Sequence, residues 1–227
     1  MSKSAKSQKL PNKRTPNKAR SKAKRDGPST GRLIALEGTR GKDLNNTVER
    51  LARHIGRNGS AGWSSWDASN TFYELSIGKA KNSAPPPRTL MLLYASDLMF
   101  RLRWEIEPAL QEGQTVLAAP YVESAVAMGL ALGLSKDWLD ELFRFARKPD
   151  AVLRLKEKIK NKSKFKKKKK TGKPVNGFVE FCCDSLSATS PDWDPVQLRG
   201  AVLKYLDMLE EKQEIVKVGK RVPKELL

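Results

Sequence analysis

Apolar positions in this chain fall into short continuous runs separated by stretches in which they recur every three or four residues. This alternation predicts strands interleaved with helices. Leu33, Ile34, Ala35 and Leu36 form the first run, bounded by Gly31 and Gly38, as in a strand buried on both faces. After the segment EGTRGKDLNN, Val48, Leu51, Ala52 and Ile55 recur at helical spacing until Gly56 and Gly59 stop them. A second short strand is expected near Trp63 to Trp66, followed by irregular chain ending at three prolines. Leu92, Leu93, Leu98, Leu102 and Ile106 predict a long helix from Thr89 to Leu110, bending near Pro108 and finished by Gly113. Thr115 to Ala118 reads as a buried strand, Tyr121 to Leu132 and Asp137 to Ala146 as helices, and Ala151 to Leu155 as a further strand. Gly177 to Leu186 and Pro195 to Leu209 close the chain with two more helices. The expected fold class is α/β, one domain over residues 31–210 with a parallel sheet covered on both faces.

Size and charge add the appendages. A length of 227 residues with 39% hydrophobic composition suits one substantial core and no second full domain. The net charge is +19, yet residues 1–30 alone carry +9 and residues 154–173 carry +11, so everything else sums to −1. The excess charge therefore sits in a basic N-terminal tail, 1–30, expected to be disordered, and in a lysine-rich loop, 156–173. Residues 211–227 read as a C-terminal extension. Lysine concentrated without interleaved aromatics predicts contact with nucleic acid or another polyanion regardless of sequence; the plainer alternative is a solubilising tail. The tail holds no apolar run of signal-peptide or anchor length, and no transmembrane segment is expected. Cys182 and Cys183 are adjacent, a poor geometry for a disulfide, which points to a reducing, cytoplasmic (intracellular) setting. His54 lies on the first helical stretch with no Cys or His at ligand spacing, and no metal site is expected of it.

Four blocks carry a resemblance: LIALEGTRGKDLNNTVERLARHI, PRTLMLLYASDLMFRLRWEIEPALQEGQTVLAAPYVESAVAMG, PDAVLRL and GFVEFCCDSL. In order and spacing, over about residues 31–210, they resemble the thymidylate kinase family. The resemblance implies a three-layer P-loop kinase fold, a nucleotide partner, ATP and Mg if the family activity is retained, and, often in this family, a homodimer. It also implies where the phosphate loop lies. A working loop reads G-x-x-x-x-G-K-[ST], because glycines let backbone N–H groups cradle phosphate, the lysine neutralises it and the hydroxyl holds magnesium. Counted from Gly38, the second glycine falls at Asp43, the lysine at Leu44 and the hydroxyl at Asn45. Gly38, Gly41, Lys42, Asn45 and Asn46 are the candidate phosphate-loop residues. Asp43 sets a carboxylate where polyphosphate lies in the family, and like charges roughly 4 Å apart repel by about 4 kcal/mol at an effective dielectric near 20. Lys42 either reaches the phosphate from a displaced position or points to solvent.

The acceptor side departs in the same way. The family's Asp-Arg-Tyr falls on Ala119, Pro120 and Tyr121, and its Ala-Ala-Asp-Arg on Ala95, Ser96, Asp97 and Leu98, with Arg101 almost one turn on as a substitute. Tyr94 falls at the base-stacking aromatic, Ser124 at a small polar pocket position, and Met128 where the family reads the base with glutamine. Tyr94, Asp97, Arg101, Tyr121 and Ser124 are thus the acceptor-pocket candidates, while Tyr94 and Tyr121 read equally well as core. The segment WSSWDASNTF offers no counterpart to the family's arginine-bearing phosphate loop, and the lysine run takes the place of the lid. The expectation is a thymidylate-kinase-like protein with little or no dTMP kinase activity, serving as a binding or scaffold protein. One alternative is an active nucleoside monophosphate kinase with an atypical P-loop. Another is a nucleic-acid-associated protein using its basic arms. Restoring glycine, lysine and serine at positions 43 to 45 is expected to raise ATP affinity.

Overall fold

The computed structural model describes residues 31–57, 59–77, 84–156, 177–190 and 192–210. Among these residues four strands, β1 (Arg32–Glu37), β2 (Ala61–Ser65), β3 (Thr115–Ala119) and β4 (Ala151–Arg154), form a parallel sheet in the order β2-β3-β1-β4. Among the described residues, eight helices accompany them: α1 (Gly41–Ile55), α2 (Thr71–Ile77), α3 (Pro87–Arg101), α4 (Glu107–Gln111), α5 (Val122–Ala131), α6 (Lys136–Leu142), α7 (Phe178–Thr189) and α8 (Pro195–Glu210). The register sets Ile34 beside Leu117 and Ala151.

Side chains alternate across this sheet, and the alternation divides the core in two. Ile34, Leu36, Leu117, Ala119 and Leu153 pack on one face with Leu44, Val48, Leu51 and Ile55 of α1. Leu33, Ala35, Val116 and Ala118 pack on the other with residues of α3, α5, α7 and α8. The result is the expected three-layer α/β architecture of a P-loop kinase fold, with the strand C-termini opening toward the β1–α1 connection.

Three elements differ from expectation, the first two for local reasons. Residues 71–77 are helical, because the Asp67 carboxylate accepts the N–H groups of Phe72 (2.8 Å) and Tyr73 (2.7 Å) and so caps α2. The long helix is continuous through Gln111 but widens into one π-helical turn at Leu102–Ile106. Pro108 has no N–H and crowds the carbonyl four residues before it, and a widened turn just upstream accommodates both. Helix α6 ends at Leu142, short of Ala146. The basic tail, the lysine-rich loop beyond Lys156 and the C-terminal extension lie outside the described residues. Among those residues, no helix is long and apolar enough to cross a membrane.

Candidate functional site

Strand β1 ends at Glu37 and α1 begins at Gly41, so only Gly38, Thr39 and Arg40 connect them. Asp43, Leu44 and Asn45 are therefore helical rather than looped. Leu44 is 2% exposed and packed in the α1 core, Asp43 is half-exposed and paired with Arg40 (3.6 Å), Lys42 and Asn46 are exposed, and Asn45 is half-buried. A working motif separates its first glycine from its Gly-Lys pair by four residues. Here Thr39 and Arg40 alone separate Gly38 from Gly41 and Lys42, which open the helix.

The N–H of Gly41 donates to Oε2 of Glu180 on α7 (3.1 Å). The other oxygen of Glu180 lies 3.6 Å from Nη2 of Arg199 on α8. Arg199 in turn donates to the Thr39 hydroxyl (3.1 Å) and carbonyl (3.4 Å). Burial pushes the Glu180 carboxyl above its ordinary value, while the Gly41 N–H and Arg199 pull it back.

Glu37, fully buried, ties β1 to the start of α5. Its Oε2 accepts the N–H groups of Tyr121 (3.2 Å) and Ser124 (3.0 Å) and the Ser124 hydroxyl (2.6 Å), and its Oε1 accepts the N–H of Glu123 (3.0 Å). The Ser124 hydroxyl oxygen also accepts from Gly38 N–H (3.0 Å), joining the loop to the acceptor side. Glu123 is held by a two-pronged contact from Arg154 at the end of β4, at 2.7 and 2.6 Å. Burial first, then the Glu123 carboxylate, pushes Glu37 up to about 7, against the pull of its hydrogen bonds. A carboxyl with a raised folded-state value keeps a proton that the unfolded chain has released. Its contribution is full below about pH 4.5 and is lost as pH rises through about 7. Relative to Glu37→Gln, the parent is expected to lose on the order of 2–3 kcal/mol across that window, read from urea midpoints. Parallel pH profiles for the two proteins would return Glu37 to an ordinary carboxyl.

The acceptor candidates converge at the strand C-termini, and each is engaged within the protein. The Tyr94 hydroxyl donates to the Tyr121 carbonyl, and its ring packs 4.3 Å from that of Phe178 and 6.0 Å from that of Phe143. Tyr121 donates its hydroxyl to the Arg147 carbonyl (2.7 Å). Burial raises both phenols above their ordinary range. Asp97 accepts the N–H groups of Asp67 (3.1 Å) and Ser69 (2.9 Å), fastening the turn after β2. Met128 is wholly in the core.

Arg101 is 0% exposed, and its guanidinium donates to the Ser64 hydroxyl (2.8 Å), the Ser64 carbonyl (3.0 Å) and the Pro120 carbonyl (2.9 Å). This fork holds the ends of β2 and β3 to α3. Arg101→Ala leaves those acceptors unpaired beside a cavity and is expected to cost about 3–5 kcal/mol, and Arg101→Lys, lacking the planar fork, should recover only part of it. Denaturant unfolding checks this; a loss under about 1 kcal/mol in Arg101→Ala would free the guanidinium for a ligand.

Several residues central to this geometry escaped the sequence reading. Glu37 carried a faint signal, as the one charge ending an apolar strand. Glu180 sat inside an apolar helix with the same kind of signal. Nothing local tied Arg199 to Thr39 across 160 positions.

No family model matches the chain. Among curated proteins it is similar to a probable thymidylate kinase of Staphylothermus marinus, 28% identical over 127 residues, which is 56% of this chain and 64% of that protein. It is similar to the thymidylate kinase of Bacillus pumilus, 30% identical over 123 residues, 52% of this chain and 58% of the relative. A probable thymidylate kinase of Thermococcus gammatolerans is 41% identical over 64 residues, 28% of this chain and 31% of the relative. The matches to the first two cover less than two thirds of those relatives' length. By sequence over about half its length and by the layered architecture of its described residues, this chain is related to the thymidylate kinase family.

Proposed function

We propose that this thymidylate-kinase-like chain has little or no dTMP kinase activity and uses its fold as a binding or scaffold protein. The observation that carries this reading is the three-residue connection Gly38, Thr39 and Arg40 between β1 and α1. A connection two residues shorter than the working motif offers fewer backbone N–H groups to wrap a phosphate, and phosphoryl transfer depends on that positioning. The residues present do not fit ATP with magnesium. The N–H of Gly41 is already engaged by Glu180, and Asp43 follows Lys42 where a hydroxyl would be needed for the metal. At the end of β3, Ala119 and Pro120 supply a methyl and a ring in place of the carboxylate and guanidinium the family resemblance implies. Measuring phosphate transfer from ATP to a panel of nucleoside monophosphates tests the proposal.

Two other readings each have an observation in their favour. Gly41 and Lys42 open α1 as a Gly-Lys pair, which supports an active kinase with an atypical loop. The confinement of the excess charge to residues 1–30 and 154–173 supports a role for the basic segments in holding nucleic acid or another polyanion.

A further inference from the structure

The start of α1 is the place in this fold where phosphate meets backbone N–H groups and the positive end of a helix dipole. In this chain a carboxylate stands there. Glu180 spans the 3.1 Å to Gly41 N and the 3.6 Å to Arg199, while Arg199 clasps Thr39 in the connection itself. Helix α7 also comes very near: a Cβ on Gly177 would lie 2.7 Å from Gly41 Cα and 2.8 Å from its nitrogen. Only glycine permits that approach. Glu180 is the third residue of α7, so the positive ends of α1 and α7 face the same carboxylate. Phe178, Phe181 and Cys182 anchor α7 in the core, which fixes the position of Glu180 by packing.

We propose that Glu180 is the resident anion of the phosphate loop, an intramolecular carboxylate that takes a phosphate group's place and latches α7 and α8 over the start of α1. This device rests on the reading above that the loop no longer holds nucleotide phosphate, and it names what holds the place instead. A phosphate ligand would have to displace Glu180 and would face its charge until it did.

Thermal unfolding of the parent, Glu180→Ala and Glu180→Ala/Arg199→Ala, with and without millimolar sodium tripolyphosphate, tests the latch. Glu180→Ala is expected to lower Tm by roughly 3–8 °C. Tripolyphosphate should then restore at least half of that drop by binding the vacated N–H and Arg199. The lysine-rich segments are common to all three proteins, so their own contribution cancels in the comparison. The double variant should lose the recovery. Should Glu180→Ala fail to fold, Glu180→Gln with 15N-glycine and 13C-carbonyl-arginine labelling isolates the Arg-Gly pairs at 40–41 and 199–200. The Gly41 amide proton should move upfield as its charged acceptor is lost. Equal tripolyphosphate shifts in parent and Glu180→Ala, or an unmoved Gly41 amide, would overturn the latch. Phosphoryl transfer by the parent would defeat the proposed function and leave these readouts intact.

Discussion

The purified chain, given ATP, magnesium and thymidine monophosphate, is expected to turn over at least on the order of 10⁴-fold below the ordinary kinase range of roughly 1–100 per second. Three contributions are absent or reassigned. The β1–α1 connection is short and its Gly41 N–H is taken. Ala119 and Pro120 carry no charge at the end of β3, and Leu98 is buried in the core where the resemblance implies a phosphate-gripping arginine. Arg101, the nearest substitute, has donors engaged by Ser64 and Pro120. Loss of one oriented donor typically costs about 100-fold to 1,000-fold, and losses within one machine combine less than additively. Even so, little remains. Steady-state turnover within the ordinary range would reject the proposed function. Lys42→Ala would then be the informative variant, because unchanged turnover would exclude the lysine that opens α1 as the relocated phosphate clamp.

The second large effect concerns salt. Residues 1–30 and 156–173 together carry the whole net charge of +19, and the remainder of the chain is neutral. If six to ten of these cations touch phosphates, affinity for mixed-sequence DNA or RNA should fall about 10³-fold to 10⁵-fold between 50 and 200 mM salt. A variant without residues 1–30 and with Ser in place of each Lys in 156–173 should show little binding and almost no slope. Sequence should matter little in either case. An unchanged slope in that variant, measured by anisotropy across a salt series, would remove the basic segments from any such role.

The strands and most helices were legible because each rests on a local signal. The run from Leu33 to Leu36 is uninterrupted and buried on both faces, and the stripe through Val48, Leu51 and Ile55 faces one layer. The site was legible only as a set of positions. Tyr94, Asp97, Arg101, Tyr121 and Ser124 do meet at the strand ends, but their hydrogen-bond partners come from turns and helices distant in sequence, which spacing does not encode. The phosphate loop shows the limit most clearly. Ungapped counting from Gly38 put Leu44 in the loop, whereas the backbone turns helical at Gly41 and drives Leu44 into the core. Lysine at that position would bury an ammonium among Ile34, Val48 and Leu117, so the threefold restoration at 43 to 45 is now expected to destabilise the chain.

The shortness of the β1–α1 connection also bears on repair. Substitution changes side chains one at a time, but it does not add backbone, and the shortfall between Gly38 and the Gly-Lys pair is two residues of backbone. On the proposed reading, an engineer seeking to give this chain the family's chemistry would need an insertion after Arg40, together with loss of the carboxylate at Glu180. Neither change alone would restore transfer: the longer loop would close on an occupied position, and the emptied position, though open to a free polyphosphate, would meet a loop too short to wrap a nucleotide's phosphates. That mutual dependence means that neither step is rewarded before the other is made.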